Sequence, residues 1–167
     1  PVRESYRSYH FGVDLNRNFD YQWGNTNVAS SISSIPCLET YIGVGPASEP
    51  ETGYLSTLLG QLFRDQRGPN ATDKAPNTTT GLLLSLHSFK NAVLFPWGTK
   101  EQNAPNDPEL RALAFRMSYF NRYATGRPPD IVHYTTSGAA DDYSYSAFGI
   151  PSFTFEVGPE SGDCSDF

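Results

Sequence analysis

The stretch Pro151-Ser152-Phe153-Thr154-Phe155-Glu156-Val157 alternates apolar and polar side chains without a break. Successive side chains of a strand point to opposite faces, so Phe153, Phe155 and Val157 share one face and Ser152, Thr154 and Glu156 the other. Glu156 is the one charge on that strand. Upstream, Leu82-Leu83-Leu84-Ser85-Leu86 ends in His87, and Asn91 to Pro96 contains Ala92-Val93-Leu94-Phe95. Both short apolar runs predict buried strands. Between Ser48 and Gln66 the apolar residues are Leu55, Leu58, Leu59, Leu62 and Phe63, which fall on one helical face. Ser48 and Glu51 predict a capping box at the start of that helix. A second helix is predicted with Asp107 as N-cap and Pro108 at its first position. It carries Leu110, Leu113, Ala114 and Met117 and stops near Gly126. Strands alternating with helices imply a layered α/β domain, and no Gly-rich phosphate loop follows any strand.

The chain has 167 residues, the size of one domain, and 38% hydrophobic content is enough for a single core without disulfides or metal. Twelve Lys and Arg against eighteen Asp and Glu give a net charge of −6, with the cations scattered, so no nucleic-acid partner is expected. No apolar run approaches the roughly 18 residues of a membrane span, and no membrane partner is expected. The start, Pro1-Val2-Arg3-Glu4, lacks a signal-peptide pattern and reads as that of a mature piece. Two sequons, at Asn70 and Asn77, lie in a Pro-, Asn- and Thr-rich stretch that reads as an exposed loop, which points to a secreted, extracellular glycoprotein. Cys37 and Cys164 are too few and too far apart for a disulfide scaffold or a thiolate metal site. Whether they pair is left open.

Four clusters carry chemistry. Gly12 to Phe19 encloses Asp14, Asn16, Arg17 and Asn18. Arg17 offers a planar fork suited to a carboxylate and Asn16 an amide donor beside it, while a turn with an Asp14–Arg17 ion pair is the plainer alternative. His87 ends an apolar strand, as a metal ligand, a general base or a satisfied core imidazole. Tyr134 to Tyr143 is a Gly-containing loop leading into Asp141 and Asp142, either of which is equally well a helix cap. Glu156 is a general base or half of a buried salt bridge.

In order and wording these segments resemble the zinc metallocarboxypeptidases of the carboxypeptidase A and B type. Asp14 to Phe19 matches the family's D-x-N-R-N-aromatic motif, Pro36 to Tyr41 its P-C-x-E-T-Y segment, and Ser85 to Phe89 its histidine-bearing strand end. Pro96-Trp97-Gly98, Tyr134 to Tyr145 and Phe153 to Glu156 match the motifs that follow. The resemblance implies a mixed central sheet flanked by helices, a three-layer sandwich incomplete at both ends. It also implies release of the C-terminal residue of peptides with one zinc ion. On this resemblance His87 is a zinc ligand, Glu156 the general base and acid, and Asn16 and Arg17 the grip on the substrate's terminal carboxylate. Tyr134 is the tyrosine that closes over it, and Asp14 orients a ligand histidine. Asp141 takes the position that is apolar in A-type and Asp in B-type enzymes, which implies a preference for C-terminal Lys or Arg.

The family's first two zinc ligands come from an H-x-x-E motif well before D-x-N-R-N, where this chain has only about ten residues, and His10 has no such context. Two of three expected ligands are therefore absent, and the carbonyl-polarising arginine is unassigned. Residues 1–167 are expected to form a single partial catalytic domain, the C-terminal two thirds, inactive alone. The missing N-terminal part would be its partner, and one sheet edge would lie uncovered. Two alternatives are a metal-free relative that binds peptide C-termini without cutting, and an acidic, aromatic-rich glycan binder or glycosidase.

Overall fold

The computed structural model describes residues 12–70, 72–99 and 103–159. Four strands form one mixed sheet: β1 (Leu83–His87), β2 (Ala92–Leu94), β3 (Ala124–Gly126) and β4 (Ser152–Glu156), in the order β1-β4-β2-β3. β4 lies parallel to β1 and antiparallel to β2, and β2 lies parallel to β3. The helices are α1 (Pro50–Leu62), α2 (Asp107–Met117), α3 (Pro128–Ile131) and α4 (Ala140–Phe148).

Alternation along β4 sorts the helices into layers. Phe153 and Val93 join Leu110 and Ala114 of α2 in the larger core cluster, so α2 covers that face. Thr154 bonds to Asp141 of α4, and Leu83 packs with Leu59 of α1, Phe148 and Ile150, so α4 and α1 cover the other. The expected three-layer α/β arrangement is therefore present.

Several expectations need correction. β1 is not buried: Leu84 and Leu86 are 48% and 74% exposed, because β1 is an edge strand and no described element covers them. The apolar stripe of α1 exists, yet only Leu59 of its leucines is buried, while Leu55, Leu58 and Leu62 face out. The capping box does not form. The Ser48 hydroxyl donates to its neighbour Glu49 and accepts from Asn18, and no side chain caps the helix from Glu49. α2 starts one residue earlier than predicted, with Asn106 as N-cap, and ends at Met117. Ala124–Gly126 then pairs with β2 as a strand where the helix was expected to continue.

Candidate active site

The site is assembled where β1 and β4 end and α4 begins. Asp14 opens a 3-10 turn, Leu15–Arg17, by accepting a hydrogen bond from the Asn16 N–H at 3.0 Å. Arg17 lies 8% exposed, with its Nε donating to the Ser31 carbonyl at 2.8 Å and its Nη1 to the Asn16 carbonyl at 2.9 Å. Two main-chain oxygens thus fix the guanidinium plane. Asp14 approaches Arg17 only to 3.9 Å, so the plainer ion-pair reading is a weak contact beside the carbonyl anchors. The Asn16 Oδ1 accepts from the Ala140 N–H at 2.9 Å, satisfying one of the free donors at the start of α4 and tying the turn to that helix.

The loop bearing Tyr134 is laid directly on this turn. Gly138 has φ +69°, and a Cβ there would collide with the Arg17 carbonyl. Its N–H donates to the Tyr21 carbonyl, and its own carbonyl accepts from the Phe19 N–H. Only glycine allows that approach.

His87 and Glu156 are register partners across β1 and β4. The His87 Nε2 lies 3.0 Å from the Ser85 hydroxyl, two residues back on the same face, and Nδ1 carries no bond among the described residues. Burial pushes the Glu156 carboxyl above its usual value and Asp141 adds to this, while the neighbouring His87 and Arg17 oppose it. Asp141 is 4% exposed; its carboxylate accepts from the Thr154 hydroxyl at 3.2 Å and from the Asp142 N–H at 3.0 Å. Burial raises its pKa too. Asp142 is fully buried, its carboxyl raised well above the usual value by burial and then by Asp141. Both its oxygens lie 3.0 Å from the Gly98 N–H, and a Cβ at Gly98 would run into Thr136.

Seven singled-out residues converge. Asp14, Asn16, Arg17, His87, Tyr134, Asp141 and Glu156 all line one cavity of about 150 Å³ with Thr136 and Thr154. A larger cavity of about 670 Å³ between Tyr21, Arg67 and Trp97 shares no residue with it and contains no imidazole. We place the chemistry in the smaller one, where an imidazole, a guanidinium and perturbed carboxyls meet. Asn70 and Asn77 occupy exposed loop positions; Asn70 lines the larger cavity, and its amide donates to Asp73 at 3.0 Å. Cys37 is exposed, and Cys164 and His10 fall outside the described residues.

The donor set tests the expected zinc. Among the described residues no group of three or more His, Cys, Asp and Glu side chains is placed to hold a metal ion. His87 offers one imidazole, against the three protein ligands of a catalytic zinc site. The described residues by themselves therefore do not make that site.

Sequence reading missed four contributors. Asn18, buried completely, makes five side-chain hydrogen bonds that fix loop 42–49 and Thr52 to the site turn. Thr154 and Gly98 hold the two aspartates, and Ser85 holds His87. All four lie inside the motifs quoted from the sequence, yet none had been given a role there.

A mixed sheet with helices on both faces carries a buried arginine beside a histidine and a glutamate at the ends of its strands. The zinc carboxypeptidase family profile matches residues 2–164, and the chain belongs to that family. It is 31% identical over 154 residues to carboxypeptidase O of Bos taurus, covering 88% of this chain and 36% of that protein. It is 27% identical over 173 residues to zinc carboxypeptidase A 1 of Anopheles gambiae, covering 99% and 36%. Among solved structures it resembles bovine thrombin-activatable fibrinolysis inhibitor in complex with a tick carboxypeptidase inhibitor. The TM-score there is 0.69 at 27% identity, over 91% of this chain and 47% of that one. The chain thus spans a little over a third of the length of the two curated relatives named here.

Proposed function

We propose that residues 1–167 are part of the catalytic domain of a zinc-dependent metallocarboxypeptidase that releases C-terminal residues from peptides, with a preference for Lys and Arg. The convergence of Arg17, Asn16, Asp141, His87 and Glu156 on one cavity carries this reading. Arg17, its Nε and Nη1 anchored from behind, presents its remaining donors to the substrate's terminal carboxylate, and the Asn16 amide adds another. Tyr134, 39% exposed at the cavity wall, closes over that end. Asp141 meets the terminal side chain. A carboxylate in a water-poor cavity favours a cationic side chain and leaves an apolar one facing an unpaired charge. Glu156, its pKa raised by burial, takes a proton from the attacking water and delivers it to the leaving amine.

On this reading the remaining zinc ligands come from outside the described residues, and the open edge at β1 is consistent with their entering there. His87 sits on an edge strand with Leu84 and Leu86 uncovered, so the upstream part of the same domain is the partner that completes both sheet and site. Alone, the 167 residues bind zinc weakly and do not hydrolyse peptides. Secretion, with glycans on Asn70 and Asn77, is consistent with their exposed loop positions. Among the described residues no helix is long and apolar enough to cross a membrane.

The test is Glu156→Gln in the longest polypeptide that carries this chain. The reading requires kcat to fall by about a thousandfold or more with KM little changed. Near-normal turnover contradicts it. A relative that binds C-termini without cutting would keep the Arg17 grip but leave Glu156 without a task.

A further inference from the structure

Arg67 lies in the long connection between α1 and β1, and the loop around it holds it in place. The Gln66 N–H donates to the Phe148 carbonyl at 3.0 Å, which ties the loop to the end of α4. The Gln66 side chain closes the base of the loop, donating to the Thr80 carbonyl at 2.7 Å and accepting from the Thr80 N–H at 2.9 Å. Gly149 follows α4 at φ +70°, and a Cβ there would strike the Arg67 side chain. The Arg67 N–H donates to Asp65 Oδ1 at 2.9 Å and its Nε to the Asp73 carbonyl at 3.1 Å. Bonds within the loop thus set where the guanidinium sits.

It sits over two rings. The guanidinium carbon is 5.0 Å from the centroid of Tyr145 and 5.9 Å from that of Trp97, within the reach of a cation–π contact. Tyr145 is completely buried and Trp97 nearly so, and such contacts strengthen where water is excluded. Trp97 in turn stacks on Tyr21 at 4.6 Å and meets Tyr145 edge-on at 5.0 Å. Arg67 and these three rings do not line the smaller cavity, yet two of the rings are tied to its walls through the main chain. Trp97 is one peptide bond from Gly98, whose N–H holds both oxygens of Asp142 and whose carbonyl accepts from the Thr136 N–H at 2.8 Å. Thr136 lines the cavity, as does Asp141, whose carboxylate accepts from the Asp142 N–H. The Tyr21 carbonyl accepts from the Gly138 N–H, in the loop that carries Tyr134.

We propose that Arg67 is a positioning residue for the cavity wall that receives the substrate's terminal side chain. Its cation over Tyr145 and Trp97 clamps the aromatic stack, the stack fixes Gly98, and Gly98 fixes Asp142 and Thr136. Because Trp97 and Gly98 share a peptide bond, a shift of the ring passes to the wall without a flexible side chain between them. The role toward substrate rests on the peptidase reading, whereas the clamp itself does not.

The experiment compares the parent, Arg67→Met and Arg67→Lys in the longest polypeptide that carries this chain. Amide hydrogen exchange is measured first, and then turnover of a blocked dipeptide ending in Arg. Met keeps the stem without the charge, and Lys keeps the cation without the Nε donor. In Arg67→Met the Gly98, Thr136 and Gly138 amides are expected to exchange about tenfold faster, with Arg67→Lys between Met and the parent. The Leu83 and Ser118 amides, bonded to the Pro151 and Ala114 carbonyls, are expected to stay within about twofold. KM is expected to rise about fivefold with kcat little changed, because a displaced wall weakens ground-state and transition-state binding alike. Unchanged exchange at Gly98 and Thr136 in Arg67→Met overturns the proposal. So does a rise shared equally by Leu83 and Ser118, which marks a general loss of stability, and so does an effect confined to kcat. A parent without turnover refutes the peptidase reading instead, and the exchange at Gly98 and Thr136 then decides the clamp.

Discussion

Replacing Asn18 by Ala tests whether the site turn is held by its own residues or by the segment folded over it. Asn18 Nδ2 donates to the Ile42 carbonyl at 2.8 Å, the Gly45 carbonyl at 3.0 Å and the Ser48 hydroxyl at 3.0 Å, and Oδ1 accepts from the Glu49 N–H at 3.2 Å and the Thr52 hydroxyl at 2.6 Å. A net contribution of about 0.5–1.5 kcal/mol for each of the five bonds brackets the loss at about 2.5–7.5 kcal/mol. The structure favours the lower part of that range. The Ile42 carbonyl keeps a bond from Trp23 Nε1, and the Thr52 hydroxyl keeps the Glu49 carbonyl. The Gly45, Ser48 and Glu49 groups lie near solvent and rehydrate. The expected cost is about 3 kcal/mol, or about 6–12 °C in Tm for a chain of this size. Urea unfolding at pH 7 reads it, as a shift in midpoint at unchanged m. Asn18→Asp should be worse than Ala, because it turns a carboxylate toward two carbonyl oxygens in a buried place. A cost below about 1 kcal/mol for Ala, or Asp better tolerated than Ala, refutes the view that these bonds hold the turn.

Asp141→Leu in the longer polypeptide should shift the ratio of kcat/KM for C-terminal Arg over Phe by about thirtyfold or more toward Phe, read with paired blocked dipeptides; an unchanged ratio removes Asp141 from the specificity pocket. Burial and the neighbouring Asp141 raise the folded pKa of Asp142 above the ordinary aspartate range, so its contribution is fully present below that range and is lost as pH rises through the folded value. Asp142→Asn keeps an acceptor for the Gly98 N–H, so the variant should gain stability relative to the parent as pH rises from 4 to 7 in parallel urea titrations. A constant difference over that range contradicts the assignment. The 167-residue chain alone should self-associate through the open edge at β1, and Leu86→Lys should reduce that association in sedimentation velocity.

The site was legible in the sequence to the extent that its parts are local. Asp14, Asn16 and Arg17 lie within four residues, and Glu156 is the single charge on a strand whose alternation is unbroken. What sequence could not show are bonds made across the fold. Thr154 reaches Asp141 across 13 residues, and Asn18 reaches Thr52 across 34. The latter also explains the failed capping box, since Asn18 recruits Ser48 and takes over the Glu49 N–H. β3 escaped because Ala124-Thr125-Gly126 is too short to show a period, and its strand character comes from pairing with β2. The exposure of Leu84 and Leu86 escaped because an apolar run does not say whether its neighbours are present.

In the proposed function Arg17 and Asn16 grip a free C-terminal carboxylate while Glu156 serves the adjacent peptide bond. The most direct measurement compares one blocked dipeptide ending in Arg as the free acid and as the amide, incubated with the zinc-loaded longer polypeptide. Arg should be released from the acid, and the amide cleaved at least about a hundredfold more slowly, from the loss of a charge-assisted bidentate contact. Equal cleavage of acid and amide, or no cleavage of the acid, would contradict it.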